Sequence, residues 1–283
     1  MDVTEYPVFF HCEGERLLGI CHQPTAAKDV GVVIVVGGPQ YRVGSHRQFV
    51  LLARYLAEAG IAVFRFDYRS MGDSTGNQVD FEQVTPDIRA AVDAFSQSCP
   101  ELEKIVLWGL CDAASAILLY ALEGDARITG QILLNPWVRT DEGIAKVYLK
   151  NYYLSRLLNK DLWRKLIKGR FLFRESWASL SSTLSTLLGC GSSGTEEGSQ
   201  IHYTVRMLQG MEAFAGRTLV ILSGNDMTAD EFRQHVAASA NWQKVLNVED
   251  IVIKTLPEAN HTFSKACWRD QLADICRQWV QGL

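Results

Sequence analysis

A cysteine between small residues stands where a predicted strand gives way to a predicted helix. Residues 104–115 read Lys-Ile-Val-Leu-Trp-Gly-Leu-Cys-Asp-Ala-Ala-Ser. The apolar, β-branched run at 105–108 predicts a buried strand, and the alanine-rich residues after it predict a helix. Gly109 and Ala113 stand two residues before and after Cys111. A thiol at the apex of such a turn could act as a covalent nucleophile.

Two residues that could activate this thiol follow later strands. Asp226 comes after a predicted strand at 219–222, and His261 comes after one at 250–256. A nucleophile, an acid and a histidine in this chain order, each after its own strand, is the order of the α/β-hydrolase fold. The predicted roles are nucleophile for Cys111, general base for His261 and orienting acid for Asp226.

Two of these assignments, those of Asp226 and Cys111, have an alternative. Thr228 and Glu231 have the spacing of a capping box, which predicts a helix start there and places Asp230 in its first turn. A carboxylate in that position can serve the helix dipole alone, so Asp226 is favoured over Asp230 as the acid. A lone cysteine is often only a buried structural residue. Because Asp226 and His261 follow later strands in the expected order, the nucleophile is the favoured interpretation of Cys111.

A glycine-rich loop is predicted to supply part of an oxyanion hole. The apolar run at 30–36 predicts a strand covered on both faces, and residues 37–45 follow it as a loop. In this architecture one N–H donor comes from that loop, here Gly38 or Gln40, and the other from Asp112, the residue after the nucleophile. The proline between Gly38 and Gln40 has no N–H. A nucleotide-phosphate loop and a plain turn are the less favoured alternatives.

The elements that must position these residues alternate between strands and helices. Strand, helix and strand in succession predict a parallel sheet, here an α/β-hydrolase fold with a mostly parallel central sheet and helices on both faces. The helices at 45–58 and 264 onward are predicted to begin at Ser45 and Ser264 as N-caps. The predicted strands are residues 6–12, 16–21, 30–36, 61–67, 105–108, 128–134, 219–222 and 250–256, with another helix at 85–98.

Residues 139–216 differ from the rest and predict an inserted helical cap. The core is then 1–138 with 217–283, and a Ser/Gly-rich stretch near 176–200 is expected to be flexible. Ten basic residues against four acidic ones give 139–175 a net charge of +6 and leave −10 for the remainder. This charge is typical of a solvated helix face, or alternatively of a docking site for an acyl carrier protein or another anionic partner.

Composition excludes several function classes. A chain of 283 residues with a net charge of −4 and no nucleic-acid motif predicts no nucleic-acid partner. Seven scattered cysteines argue against a disulfide framework and a zinc site, so a reducing, cytoplasmic compartment is expected. No apolar run is long enough to cross a bilayer, and no signal segment begins the sequence. Neither a metal nor an organic cofactor is expected.

The motifs together resemble those of the exosortase A system-associated hydrolases, over nearly the whole chain. Those proteins have the α/β-hydrolase fold and are encoded beside protein-sorting and exopolysaccharide genes of Gram-negative bacteria. The resemblance implies that Cys111, Asp226 and His261 form the triad. Its motifs are Val36-Gly-Gly-Pro-Gln-Tyr-Arg-Val-Gly-Ser-His46, Gly109-Leu-Cys-Asp-Ala113, Tyr152-Tyr-Leu-Ser-Arg156, Lys160-Asp-Leu-Trp-Arg164, Gly224-Asn-Asp226 and Asn260-His-Thr-Phe263.

The expected activity is hydrolysis of an ester or thioester through an acyl-cysteine intermediate. The N-terminus of the helix below Cys111 is expected to lower the pKa of the thiol. The cysteine is also similar to that of dienelactone hydrolases, which lack the long basic insertion. Acyl transfer to another acceptor is the first alternative, and a non-catalytic binding protein that retains the fold is the second.

Overall fold

The computed structural model describes residues 2–38, 40–139 and 201–283. All the elements given below belong to one compact unit. Most of the predicted insertion, including the stretch at 176–200, lies outside the described residues, so its boundaries and flexibility stay predictions. No helix in the described part of the chain is long and apolar enough to cross a membrane.

A sheet of eight strands forms the centre of the described structure, in the order β1-β2-β4-β3-β5-β6-β7-β8. β1 pairs with β2 and β2 with β4 antiparallel, and the remaining neighbours are parallel. The strands are β1 Val3–Cys12, β2 Glu15–Pro24, β3 Val30–Val35, β4 Ala62–Asp67, β5 Lys104–Leu110, β6 Ile128–Leu134, β7 Arg217–Asn225 and β8 Ile251–Asn260. Every strand predicted from the sequence is present, and most are longer than predicted.

Helices cover the sheet, and the central strands are buried. Every residue of β3 and β4 is buried, as expected for parallel strands covered on both faces. The described α-helices are α1 Gln48–Glu58, α2 Thr85–Ser98, α3 Asp112–Tyr120, α4 Tyr203–Ala213, α5 Met227–Ala237, α6 Ala240–Val245 and α7 Ala266–Gln281. α1 packs against α7, whereas α2 and α4 pack against α3.

α4 packs tightly on the core although its residues fall in the predicted insertion. A Cβ atom added at Gly210 would lie 1.8 Å from the carbonyl oxygen of Leu118 in α3. Met207 is fully buried, and Met211 is nearly so. Glycine therefore permits a close approach of the two helix backbones at this position.

The helix starts predicted at Ser45 and Ser264 are wrong. Ser45 opens a short 3₁₀ turn instead, its N–H donates to the side chain of Gln40, and α1 begins only at Gln48. The Ser264 hydroxyl accepts a hydrogen bond from the Asn260 side chain, and α7 begins two residues later without a side-chain cap. In both places a contact within the loop engages the serine that the local pattern predicts as a cap.

Candidate active site

Cys111 lies at the turn between β5 and α3. Its backbone has φ 64° and ψ −125°, a left-handed conformation that costs about 1–3 kcal/mol in a residue other than glycine. A Cβ at Gly109 would lie 2.7 Å from Ile117 and 2.8 Å from the backbone of Ala113. Small residues on both sides therefore let the helix pass close to the strand, as the spacing predicts.

His261 and Asp226 are hydrogen-bonded at the same edge of the sheet. The distance between His261 Nδ1 and Asp226 Oδ2 is 2.9 Å, and the two side chains are 33% and 6% exposed. Asp226 is the N-cap of α5, because its carboxylate accepts the N–H groups of Thr228 and Ala229. The predicted N-cap at Thr228 is therefore wrong. Helix and histidine together fix the orientation of the carboxylate.

The alternative acid, Asp230, is engaged elsewhere. Its carboxylate accepts a hydrogen bond of 2.8 Å from Arg233, one turn further along α5. Glu231, the other end of the predicted capping box, is buried, and burial raises the pKa of its carboxyl group. In the described structure, Asp226 is the carboxylate that bonds to His261.

Asn135 holds the loop that carries the histidine, a role the sequence did not reveal. Its side chain is fully buried directly after β6, where it donates to Ser223 Oγ at 2.9 Å and to the carbonyl of His261 at 3.4 Å. It also accepts the N–H of Ser223, whose hydroxyl donates to the carbonyl of Asn260. The signal available was a lone asparagine at the end of a buried strand.

Electrostatic effects connect Cys111 and Asp112 with the predicted acid and histidine. The charge of Asp226 acts on the thiol, and the charge of His261 acts on the neighbouring Asp112. Within the described residues no hydrogen bond joins the thiol to His261, whose Nδ1 is bonded to Asp226. Such catalytic hydrogen bonds are often loose in the absence of substrate and tighten when it binds.

Burial raises the pKa of the Cys111 thiol to about 12. The negative charges of Asp112 and Asp226 act in the same direction, whereas the backbone N–H of Asp112 and the Arg139 guanidinium oppose them. The backbone N–H at the start of α3 lowers this pKa, in the direction expected of a helix terminus, but desolvation and two carboxylates outweigh it. The thiol is neutral at pH 7 and must lose its proton during the attack.

The predicted oxyanion donors have separate positions. Gly38 lies at the site with φ +58°, and its N–H donates to Asp112 Oδ2 at 2.7 Å. The N–H of Asp112 lies beside both its own carboxyl and the Cys111 thiol. Gln40 instead accepts the Ser45 N–H through its side chain at 3.3 Å. Of the two alternatives in the loop, Gly38 is the one that approaches the turn at Cys111, through its hydrogen bond to Asp112.

A buried ion pair anchors the glycine-rich loop. Arg42 pairs with Asp67 at the end of β4, and Asp67 also accepts the backbone N–H of Arg42 at 2.6 Å. A second ion pair of 2.6 Å joins Arg42 to Asp73. Tyr68 donates to the carbonyl of Gly38 at 3.4 Å. These contacts join residues that are distant in sequence. The only sign of them in the sequence was a charged residue, Asp67, at the end of a buried strand.

A cavity of about 710 Å³ opens beside the start of α3. Its wall includes Gly38 and Asp112, with Met71, Val79 and Phe81 on the apolar side. A different cavity, of about 600 Å³, lies at the opposite edge of the sheet near Lys104 and Arg217, away from Cys111. No group of three or more potential metal ligands occurs among the described residues.

Comparison with known proteins identifies the architecture. The Hydrolase_4 family model, described as serine aminopeptidase, S33, matches residues 28–265. The esterase Pf2001 from Pyrococcus furiosus is 15% identical with a TM-score of 0.65, and the match covers 99% of this chain and 92% of that one. A dienelactone hydrolase from Anabaena variabilis is 13% identical with a TM-score of 0.61, covering 100% and 99%. These similarities confirm the predicted α/β-hydrolase fold.

A human protein, ABHD12B, is 32% identical over 102 residues. That match covers 35% of this chain, which spans only 27% of the length of this curated relative. At such coverage, and at the low identities of the solved structures, the likeness concerns the fold and does not extend to a substrate.

Proposed function

This chain belongs to the Hydrolase_4 family (serine aminopeptidase, S33), and from this premise we propose that it cleaves esters or thioesters through an acyl-enzyme on Cys111. The hydrogen bond of 2.9 Å between His261 and Asp226, at the sheet edge that carries the strained Cys111, is the observation that carries the proposal. A base, its orienting acid and a nucleophile at a tight turn are the parts that acyl transfer requires.

The first half-reaction forms a thioester. Because Nδ1 of His261 faces Asp226, Nε2 takes the proton of the neutral thiol while sulfur attacks the substrate carbonyl carbon. The carbonyl oxygen becomes an oxyanion, which the N–H groups near Gly38 and Asp112 bind. When the intermediate collapses, the bond to the leaving oxygen or sulfur breaks, and His261 returns its proton to the leaving group.

The second half-reaction restores the enzyme. His261 removes a proton from water as the water oxygen attacks the thioester carbonyl, and the carbon–sulfur bond then breaks. The proton on His261 passes to the Cys111 sulfur, and the acid product leaves. Because the resting thiol is neutral, His261 acts as a general base in both halves.

Kinetics on a panel of p-nitrophenyl esters and acyl thioesters test this function. We expect Cys111→Ala and His261→Ala to lose turnover, whereas Cys267→Ala, which removes an exposed free thiol, keeps it. Turnover that survives Cys111→Ala would contradict the nucleophile. If wild type turns over no substrate and forms no acyl-enzyme, the chain is a binding protein that retains the fold.

The acceptor of the acyl group is tested in the same assay. Water is the proposed acceptor, and the free acid is then the only product that carries the acyl group. An amide or new ester that appears when an amine or alcohol is added, at the expense of the acid, identifies acyl transfer.

The basic segment 139–175 is proposed to dock an anionic carrier of the acyl group. Its net charge of +6 is a property of the sequence and lies mostly outside the described residues. Raising salt from about 0.05 to 0.5 M should lower kcat/KM for a thioester on an acyl carrier protein, and not for the same acyl group on pantetheine alone. Equal salt dependence for both would contradict docking. From the resemblance of its motifs alone, we also propose that the protein acts in a bacterial exopolysaccharide or exosortase system.

A further inference from the structure

The carboxyl group of Asp112 binds the Gly38 N–H, one of the two donors proposed for the oxyanion. Asp112 Oδ2 accepts the Gly38 N–H at 2.7 Å, and Oδ1 accepts the Ala113 N–H at 3.1 Å. Its own backbone N–H also acts on the carboxyl. Donors at 2.7–3.1 Å from a negative oxygen are the geometry of an oxyanion hole. An oxygen of the protein itself therefore accepts the Gly38 N–H that the reaction intermediate would use.

The carboxyl group packs closely against the backbone of the loop after β3 on its Oδ1 side. A Cβ at Gly37 would lie 2.2 Å from Asp112 Oδ1 and 2.8 Å from the Ala113 N–H nitrogen. The group is thus wedged between the loop after β3 and the start of α3. On its open side lies the cavity of about 710 Å³ that also contacts Gly38.

We propose that Asp112 is an internal occupant of the oxyanion hole, which an acyl substrate must displace before its carbonyl oxygen can bind the Gly38 N–H. This inference rests on the proposed function. Two negative oxygens compete for the one Gly38 N–H, so the ionised carboxyl weakens the binding of the oxyanion and slows the attack. The side chain can rotate into the adjoining cavity, or it can take up a proton.

Protonation weakens the competition. Burial raises the pKa of Asp112, against which the N–H groups of Gly38 and Ala113 act. The groups facing the carboxyl are His261 after β8, Tyr68 after β4 and Cys111 beside it. The neutral acid holds the Gly38 N–H less strongly and can donate its own proton to the oxyanion. Inhibition by Asp112 should therefore fade as pH falls through its pKa.

Two reactions of Cys111 separate this role from a simple effect on the thiol. Alkylation by iodoacetamide needs the thiolate and develops no oxyanion, whereas ester hydrolysis needs both. Removal of the Asp112 charge should raise the alkylation rate through the pKa of the thiol. We expect Asp112→Asn and Asp112→Ala to raise kcat/KM for hydrolysis about tenfold more than they raise alkylation, within the 10²–10³ that one donor contributes.

A charge-matched control is Asp230→Asn, which also removes a carboxylate near the site and touches none of these N–H groups. It should change the ratio of hydrolysis to alkylation less than twofold. For Asp112→Asn the advantage over wild type should shrink as the pH is lowered through the raised pKa of Asp112. A fall in hydrolysis in both Asp112 variants, or an unchanged ratio, would overturn the proposal.

The Gly38 amide resonance reports the contact without turnover. In ¹H–¹⁵N spectra it should lie far downfield in wild type, shift upfield in Asp112→Ala, and titrate with Asp112. An amide that does not respond to Asp112→Ala overturns the proposal. If the amide responds but neither wild type nor any variant turns over an ester, the proposed function fails while occupancy of the site by Asp112 stands.

Discussion

Burial should make Cys111 slow towards iodoacetamide, although we propose it as the nucleophile. The pKa of the thiol is raised from an ordinary 9.0 to about 12. At pH 7.5 the thiolate fraction then falls from about 3% to about 3 × 10⁻⁵, a thousandfold loss. The more basic thiolate is about 15 to 30 times more nucleophilic, for a Brønsted coefficient of 0.4–0.5. The net expectation is alkylation about 30 to 60 times slower than that of an ordinary thiol.

The assay compares two cysteines in the same sample. Cys267 is exposed, so its alkylation serves as the internal reference for Cys111. Peptide mapping after timed treatment gives both rates, and the Cys111 rate should still be rising above pH 10. An activated ester should nevertheless acylate Cys111 first, because His261 removes the proton during that attack. Alkylation of Cys111 faster than Cys267, with a midpoint below pH 8, would refute the neutral thiol.

The remaining predictions concern positioning and packing. Asp226→Asn should lower kcat/KM on the order of 10³–10⁴-fold, because the His261 imidazole loses the acceptor that orients it. The Tm should change little, since asparagine caps a helix as well as aspartate does. A large fall in Tm would contradict this prediction. Asn135→Ala should lower kcat more than it changes KM, because the His261 loop loses its buried donor; unchanged kcat would remove this role. Gly210→Ala should destabilise the protein by about 1–3 kcal/mol, because the added methyl group clashes with α3. Gly282→Ala is the control, since its Cβ would meet nothing closer than 3.4 Å, and it should not destabilise the protein. Equal urea midpoints for the two variants would contradict this packing.

The turn at Cys111 and the order of the site residues were predictable because both depend on short stretches of sequence. An apolar run followed by Gly-x-Cys-x-Ala specifies the strand, the turn and the close helix. His261 and Asp226 each follow a strand, and parallel strands bring their carboxyl ends to one edge. Their mutual hydrogen bond agrees with the predicted pairing.

The electrostatics could not be read in the same way. The pKa of Cys111 depends on its burial and on two carboxylates, one of which follows another strand. These effects outweigh the local helix end, which was the only contribution visible in the sequence. Asp112 was expected to contribute its backbone N–H, and only the fold shows its side chain against Gly38. The roles of Asn135 and of the Arg42–Asp67 pair likewise require contacts between distant segments.

The central claim is that Cys111 carries the acyl group and His261 delivers it there. Rapid quenching of the protein with an activated ester, followed by intact-mass analysis and peptide mapping, tests this directly. We predict one acyl group per chain, located on Cys111, formed far more slowly in His261→Ala and absent from Cys111→Ala. An acyl group on any other residue, or equal acylation in the wild type and His261→Ala, would contradict the account.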